Sequence, residues 1–317
     1  MNKRILITGG TGFQGSNLSK SLLAKGFDVT ILNTPGIKND KNIKRFQLKK
    51  AKTVWGSINN KDIVFKACQD VDLIINTAAK IHVDDSIQNP TKYFQTNVMG
   101  THNVCEAARE LNIPLMHIST CEVYGYQDDV LKEDSPLMPN SPYAASKAAA
   151  DRMVYAYYVT YGIKACIIRP FNVFGFGQKD GKCGAVIPRW TSMILNNEDI
   201  MIYGEGNQSR EFIHINDVVS AYEVLIEKIF RGDKDIEGQV INIGTGVEIT
   251  IKELATTLIK IMAERGYSNS SIKYKEARLG EVKKFISNSD YMKSFNWDVK
   301  YNLEKGLINY LKQEHKI

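Results

Sequence analysis

Arg4-Ile5-Leu6-Ile7-Thr8-Gly9-Gly10-Thr11-Gly12-Phe13-Gln14-Gly15 is the stretch that decides the fold. A short apolar run enters a glycine turn of the form GxxGxxG (Gly9, Gly12, Gly15). From Ser16 to Lys25 the spacing is helical, with Leu18, Leu22 and Leu23 on one face. Glycine suits such a turn because it allows positive φ and lets a phosphate approach backbone that a β-carbon would block. The N-terminus of the helix that follows offers free N–H groups and a partial positive charge to an anion. A glycine turn by itself is a weak signal; at the first strand-to-helix junction of a βαβ run it marks a dinucleotide site.

Outward from that turn the pattern repeats. Strands are predicted at Asp28–Leu32, Thr53–Gly56, Leu73–Asn76, Leu115–Ser119 and Lys164–Arg169. Helices are predicted over Lys61–Cys68, Thr91–Leu111 and Pro142–Tyr161. This alternation implies a parallel sheet covered on both faces. Beyond Arg169 the texture changes to a glycine-rich loop, a helix over Val186–Leu195, short strands, a helix over Asp217–Phe230 and a buried strand at Val240–Ile243. The expected architecture is α/β: a doubly wound dinucleotide-binding domain over 1–170 and a smaller mixed α/β substrate-binding cap over 171–317. Late elements of the first domain interleave with the cap near 212–244.

Composition agrees with a folded chain. Of 317 residues, 43% are hydrophobic and 24% charged, which excludes disordered and low-complexity classes. No apolar run reaches the ~18 residues of a membrane span, and the N-terminus does not read as a signal peptide; the expectation is a soluble, cytoplasmic protein. The net charge of +6 is concentrated between Lys38 and Lys52, where seven Lys/Arg face one Asp. Without aromatic interleaving this reads as a solvated face rather than a nucleic-acid surface. The five cysteines and five histidines have neither disulfide nor metal-ligand spacing. Asn33 ends the second strand where an acid is expected for NAD; its amide serves a ribose hydroxyl without repelling a 2′-phosphate, so NAD is expected and NADP stays open.

Tyr143-Ala144-Ala145-Ser146-Lys147 sets a phenol and an amine four apart on one helix face. An ammonium beside the phenol is expected to lower its pKa, so that it takes a hydroxyl proton while hydride leaves the same carbon. The pair follows Ser119-Thr120-Cys121-Glu122-Val123-Tyr124-Gly125 at a strand end.

These motifs, with Asn76-Thr77-Ala78-Ala79-Lys80, Thr96-Asn97-Val98, Arg169-Pro170-Phe171-Asn172-Val173-Phe174-Gly175, Asn242-Ile243-Gly244-Thr245-Gly246 and Arg278-Leu279-Gly280-Glu281-Val282, resemble the extended short-chain dehydrogenase/reductase superfamily of nucleotide-sugar epimerases and dehydratases. The resemblance implies a Rossmann-like fold with bound NAD. It implies cofactor contacts from Gly9, Gly12, Phe13, Gln14, Gly15, Asn33, Ser57, Ile58 (bordering the adenine), Ala78, Ala79, Lys80, Asn97, Ser119, Tyr143, Lys147, Pro170 and Val173. For a nucleotide-diphosphate sugar it implies Lys80, Cys121, Glu122, Asn172, Val186, Arg210 and Arg278, the arginines matching phosphate with a bidentate fork. It also implies a homodimer through a four-helix bundle built from the Thr91–Leu111 and Pro142–Tyr161 helices.

The residues after Thr120 divide the family. Four-epimerases usually have small residues there, and 4,6-dehydratases an acid followed by Glu. Here Cys121-Glu122 stands in that place, and STCEVYG is similar to the tunicamycin-pathway dehydratases acting on UDP-N-acetylglucosamine. The expected activity is therefore 4,6- or 5,6-dehydration of a UDP-hexose through a 4-keto intermediate, with nucleotide-sugar 4-epimerase as the alternative. Thr120, Tyr143 and Lys147 would act at C4, Glu122 would remove H5, and Cys121 would protonate the departing C6 oxygen.

Overall fold

The computed structural model describes residues 3–127, 129–181, 184–267, 269–276 and 284–317. The first elements are β1 (Arg4–Thr8), α1 (Phe13–Ala24), β2 (Asp28–Asn33), α2 (Ile37–Arg45), β3 (Lys52–Trp55), α3 (Lys61–Cys68) and β4 (Leu73–Asn76). Then come α4 (Val83–Gln88), α5 (Pro90–Tyr93), α6 (Gly100–Glu110), β5 (Leu115–Ile118), α7 (Pro142–Tyr161) and β6 (Ala165–Pro170). The remainder is β7 (Val173–Phe174), α8 (Val186–Leu195), β8 (Ile200–Tyr203), β9 (Ser209–Arg210), β10 (Ile213–His214), α9 (Ile215–Arg231), β11 (Val240–Ile243), β12 (Ile249–Thr250), α10 (Ile251–Ala263), β13 (Ile272–Lys275), α11 (Asp290–Lys293) and α12 (Leu303–His315).

Seven strands form one sheet in the order β11-β6-β5-β4-β1-β2-β3. Every pairing from β6 to β3 is parallel. Ile5, Leu6, Ile7, Leu73, Ile74 and Ile75 have no exposed surface, as strands covered on both faces require. The order reverses at the β1–β4 pair, where Thr8 lies beside Asn76. A reversal opens a crevice at the carboxyl ends of the two strands. The glycine turn leaves β1 there, and Asn76–Lys80 leaves β4.

The chain divides into two compact units, Met1–Gly125 with Pro136–Pro170 and Val219–Ile241, and Tyr126–Ser135 with Phe171–Val218 and Asn242–Ile317. A cut at 170 misplaces Tyr126–Ser135, because Leu131 pairs with Ser287. The Leu131 N–H donates to the Ile286 carbonyl (2.8 Å), and its carbonyl accepts from the Asn288 N–H (2.8 Å) and the Asn242 side chain (3.1 Å). The second unit has its own core of Phe174, Ile187, Trp190, Leu254, Leu258, Leu307 and Leu311 from α8, α10, α12 and nearby loops.

Two elements differ from the sequence-based expectation. The helix expected over Thr91–Leu111 is interrupted by a wide π turn at Phe94–Met99. The Asn97 amide there binds the backbone N–H (2.8 Å) and carbonyl (3.0 Å) of Lys80. Pulling one side chain inward in this way is a common reason for a π bulge near a functional site. The Cys121–Tyr124 stretch, read as a strand end, is a single 3₁₀ turn. It closes at Gly125, whose φ of +64° and proximity to the Met138 carbonyl leave no room for a β-carbon (1.7 Å). Gly125→Ala is expected to lower stability by about 1–3 kcal/mol, the range of an overpacked site, read as a lower urea midpoint with unchanged slope.

Candidate active site

Two pieces of the first unit bring the five catalytic candidates together. Beyond β5, the Ser119 N–H donates to the Ile168 carbonyl (2.7 Å), which holds the chain against β6 for one more residue. Thr120 is extended, and its Oγ1 accepts from the Glu122 N–H (3.3 Å), capping the 3₁₀ turn that carries Cys121 and Glu122. Helix α7 starts with Ser141 as cap, accepting from the Ala144 N–H (3.1 Å), and Pro142 in the first turn. That start puts Tyr143 in the first turn and Lys147 one turn along the same face.

Tyr143 is 8% exposed. Its N–H donates to Ser86 Oγ in α4 (3.1 Å), and its ring meets Tyr93 edge-on, with centroids 6.4 Å apart. Burial pushes its phenol pKa up and the Glu122 charge pushes the same way, while a hydrogen bond with Thr120 opposes them; Cys121 and Tyr93 add smaller upward effects. The Tyr143 phenol is therefore hydrogen-bonded by Thr120 and lies within electrostatic reach of Glu122 and Cys121. The expected lowering by Lys147 is not what the chain alone produces. The Lys147 Nζ donates to the Ile118 carbonyl (2.6 Å), and burial lowers its pKa to about 8, with Asp151 resisting the drop.

Behind this pair lies a polar layer. Asp151 accepts from Arg169 at 2.9 and 3.0 Å, both side chains being buried, and from Arg152 at 2.6 Å. Burial resists ionisation of Asp151, but the Arg169 and Arg152 guanidinium groups win and hold it at about 2. Arg169 also lies over the Tyr124 ring, 4.7 Å from its centroid. On β5, burial pushes His117 down to about 3, helped by the Lys147 charge. Its Nδ1 pairs with Asn76 (3.1 Å), which also binds Thr8 (2.6 Å).

The other first-unit candidates line the carboxyl ends of β1, β2 and β4. Gly9 has φ of +68°, and a β-carbon there would meet the Ala78 backbone at 2.8 Å; one on Gly15 would meet the Gly9 carbonyl at 2.4 Å. Gln14 Oε1 accepts from the Tyr222 hydroxyl (2.5 Å). Asn33 donates to Thr11 Oγ1, and Asn39 and Asn42 of α2 also bind Thr11. Ser57 Oγ accepts from the Asn59 N–H (3.2 Å). Ile58, expected to border an adenine, is 4% exposed and packs its side chain beneath Gly100. Ala78 and Ala79 are half-buried and Lys80 is exposed, while Pro170, at the end of β6, is buried.

In the second unit, Asn172 donates to the Glu211 carbonyl (3.0 Å), and Arg210 lies over Phe285 with 5.4 Å to the ring centroid. The Val173 carbonyl accepts from Gln178 (2.8 Å), and Val186 opens α8, half-buried. Arg278 lies outside the described residues. Among the described residues there is no metal-binding cluster and no helix long and apolar enough to cross a membrane.

Residues 5–244 match the model of the NAD dependent epimerase/dehydratase family. The chain belongs to that family. It is similar to the low-salt glycan biosynthesis protein Agl12 of Haloferax volcanii, 34% identical and covering 96% of each chain. It is 35% identical to a dTDP-glucose 4,6-dehydratase of Streptomyces niveus over 81% of this chain and 77% of the relative. The solved UDP-glucose 4-epimerase of Thermotoga maritima, with UDP-glucose, superposes with a TM-score of 0.89 at 27% identity over 99% of both chains. The fold is thus the Rossmann-like α/β fold of these enzymes.

The family's cofactor fits the glycine turn. No side chain caps α1 at Gly12, which is exposed, so the first turn presents backbone N–H groups to an anion. A β-carbon on Gly9 or Gly15 would fill space the turn itself needs. The residues that hold NAD would be Gly9, Gly12, Phe13, Gln14 and Gly15, with Asn33 at the ribose.

Some site residues have no signature that spacing alone brings out. Ser86, Tyr222 and Arg169 reach the site from distant parts of the chain. Asp151 is one turn beyond Lys147, so an acid four residues after the lysine was the available signal. Because the Lys147 amine loses its proton above about pH 8, an activity that needs its positive charge is expected to fall on the alkaline side with a midpoint near 8. The pH profile of kcat measures this.

Proposed function

We propose that the protein is a nucleotide-sugar dehydratase, acting on a UDP-hexose such as UDP-N-acetylglucosamine. The observation that carries this reading is the Thr120–Tyr124 turn, which puts the Glu122 charge and Cys121 beside the Tyr143 phenol. When bound, NAD would supply a two-electron acceptor for C4 and a positive charge that favours the phenolate. Tyr143 takes the C4 hydroxyl proton, Thr120 hydrogen-bonds the C4 oxygen, and Lys147 contributes its positive charge. With C4 a ketone, H5 is acidic, and the Glu122 carboxylate removes it. Cys121 gives a proton to the C6 hydroxyl, which leaves as water. Water loss leaves a 4-keto-5,6-ene, and the hydride taken from C4 must then return to the sugar. At C6, with a proton back on C5, it gives the 4-keto-6-deoxy sugar; at C4, with the proton back on O4 from Tyr143, it gives the 5,6-ene alcohol. Arg210 and Arg278 are assigned to the diphosphate and Asn172 to a contact with the sugar nucleotide. The dehydratase name of the Streptomyces niveus relative supports water loss, whereas the Thermotoga maritima structure bears an epimerase name.

The decisive experiment is incubation with UDP-N-acetylglucosamine, UDP-glucose, and dTDP- and GDP-sugars in heavy water, read by mass spectrometry. Loss of one water is expected, with solvent deuterium at C5 where the product is the 4-keto-6-deoxy sugar and with no hydrogen at C5 where it is the 5,6-ene, and Glu122→Gln should slow it by about 10²-fold or more. A product of unchanged mass without deuterium would replace this reading with a 4-epimerase that uses only Tyr143, Lys147 and Thr120.

The same proposal includes a homodimer through α6 and α7. Val159 (62% exposed), Tyr161 and Tyr155 on α7, with Leu111 just after α6, leave apolar surface that a second copy would cover. Val159→Glu should halve the mass measured by light scattering. A monomeric parent protein would remove the dimer from the proposal.

A further inference from the structure

The Asp151–Arg169 pair takes no part in the steps above, yet it touches both pieces that do. Tyr143, Lys147 and Asp151 recur at four-residue intervals along α7 and so share one face. Arg169, on β6, grips Asp151 through two nitrogens and covers the ring of Tyr124, the last residue of the turn bearing Thr120, Cys121 and Glu122. We propose that Asp151, clamped by Arg169, is a positioning residue that keeps Lys147 an ammonium and fixes α7 against the Thr120–Tyr124 turn. It depends on Tyr143 and Lys147 working at C4, and is indifferent to whether water is then lost.

Groups around Lys147 support this. From β5 come the Ile118 carbonyl, which accepts from Nζ, and the His117 ring, which burial keeps neutral over the working pH range. From β6 comes Arg169, its charge drawn to Asp151 and to the Tyr124 ring. The turn contributes Glu122, which acts on Tyr143. On α7 itself, Arg152 binds Asp151 from the solvent side, and burial raises the pKa of the Tyr143 phenol. Asp151 is the acid whose charge offsets the burial of Lys147. Removing that charge leaves only the Ile118 carbonyl to oppose desolvation, and a buried ammonium then gives up its proton at lower pH. A purely structural ion pair would staple α7 to β6 without moving that titration.

The test uses the holoenzyme labelled with ¹³C at lysine Cε, the Lys147 signal being assigned by its loss in Lys147→Arg. In the parent its midpoint should lie near 8. In Asp151→Asn it should fall by about one unit or more, and the alkaline limb of kcat should move with it, while Asp151→Glu should return both toward the parent. If Asp151→Asn does not fold because Arg169 is left uncompensated, Asp151→Asn/Arg169→Met removes both charges and should show the same downward shift. A midpoint that stays in place while the melting temperature drops would overturn the proposal and leave the pair a staple. A midpoint that moves while the kcat limb stays would overturn the C4 role of the Lys147 charge on which the proposal rests.

Discussion

Burying the Lys147 amine is the constraint on which the catalytic half of the molecule depends. An ammonium taken out of water costs several kcal/mol unless hydrogen bonds and opposite charge replace its hydration. Here the chain leaves β5 so that the Ile118 carbonyl meets Nζ, and α7 brings Asp151 to the same face. Asp151, itself buried, then needs a cation, which β6 supplies as Arg169. Arg169 needs a surface to lie on, and Tyr124 provides it. One buried charge thus accounts for the relative placement of α7, β5, β6 and the turn that carries Thr120, Cys121 and Glu122.

The βαβ frame was legible because its determinants are local. Parallel strands covered on both faces read as unbroken apolar runs, and the glycine turn has to be glycine where Gly9 and Gly15 leave no room for a β-carbon. Tyr143 and Lys147 were legible for the same reason, being one turn apart. What escaped is set by contacts distant in sequence. Gln14 meets Tyr222, 208 residues away, and Leu131 joins the second unit through Ile286 and Asn288. The π turn at Phe94–Met99 follows from Asn97 binding the Lys80 backbone, and no periodicity announces that contact.

In the second unit a comparable role falls to Glu211, which has no exposed surface. Burial raises its pKa, and bonds from Ser287 (backbone and hydroxyl) and the Thr245 N–H work in the opposite direction. The carboxylate fills the place a side chain on Gly244 would take, with 1.7 Å from that β-carbon position to Oε1. Its backbone carbonyl holds Asn172, and its chain neighbour is Arg210. One buried acid therefore ties together the glycine loop at 244–246, the segment at Phe285–Ser287 and two residues assigned to the substrate.

Within the Thr120–Gly125 turn the structural demands are unevenly spread. Thr120 caps it, Val123 is wholly buried, Tyr124 supports Arg169, and Gly125 must be glycine beside the Met138 carbonyl. Those four positions serve the frame that any C4 oxidation by Tyr143 requires. Of the other two positions, Cys121 is also buried, at 3% exposure, and both it and the Glu122 charge act on the Tyr143 phenol. A family that performs both epimerisation and dehydration on one fold can change its chemistry at these two positions while the buried charges behind them stay as they are. On the proposed reading, a thiol and a carboxylate there would add a proton donor and a base to the residues assigned to C4.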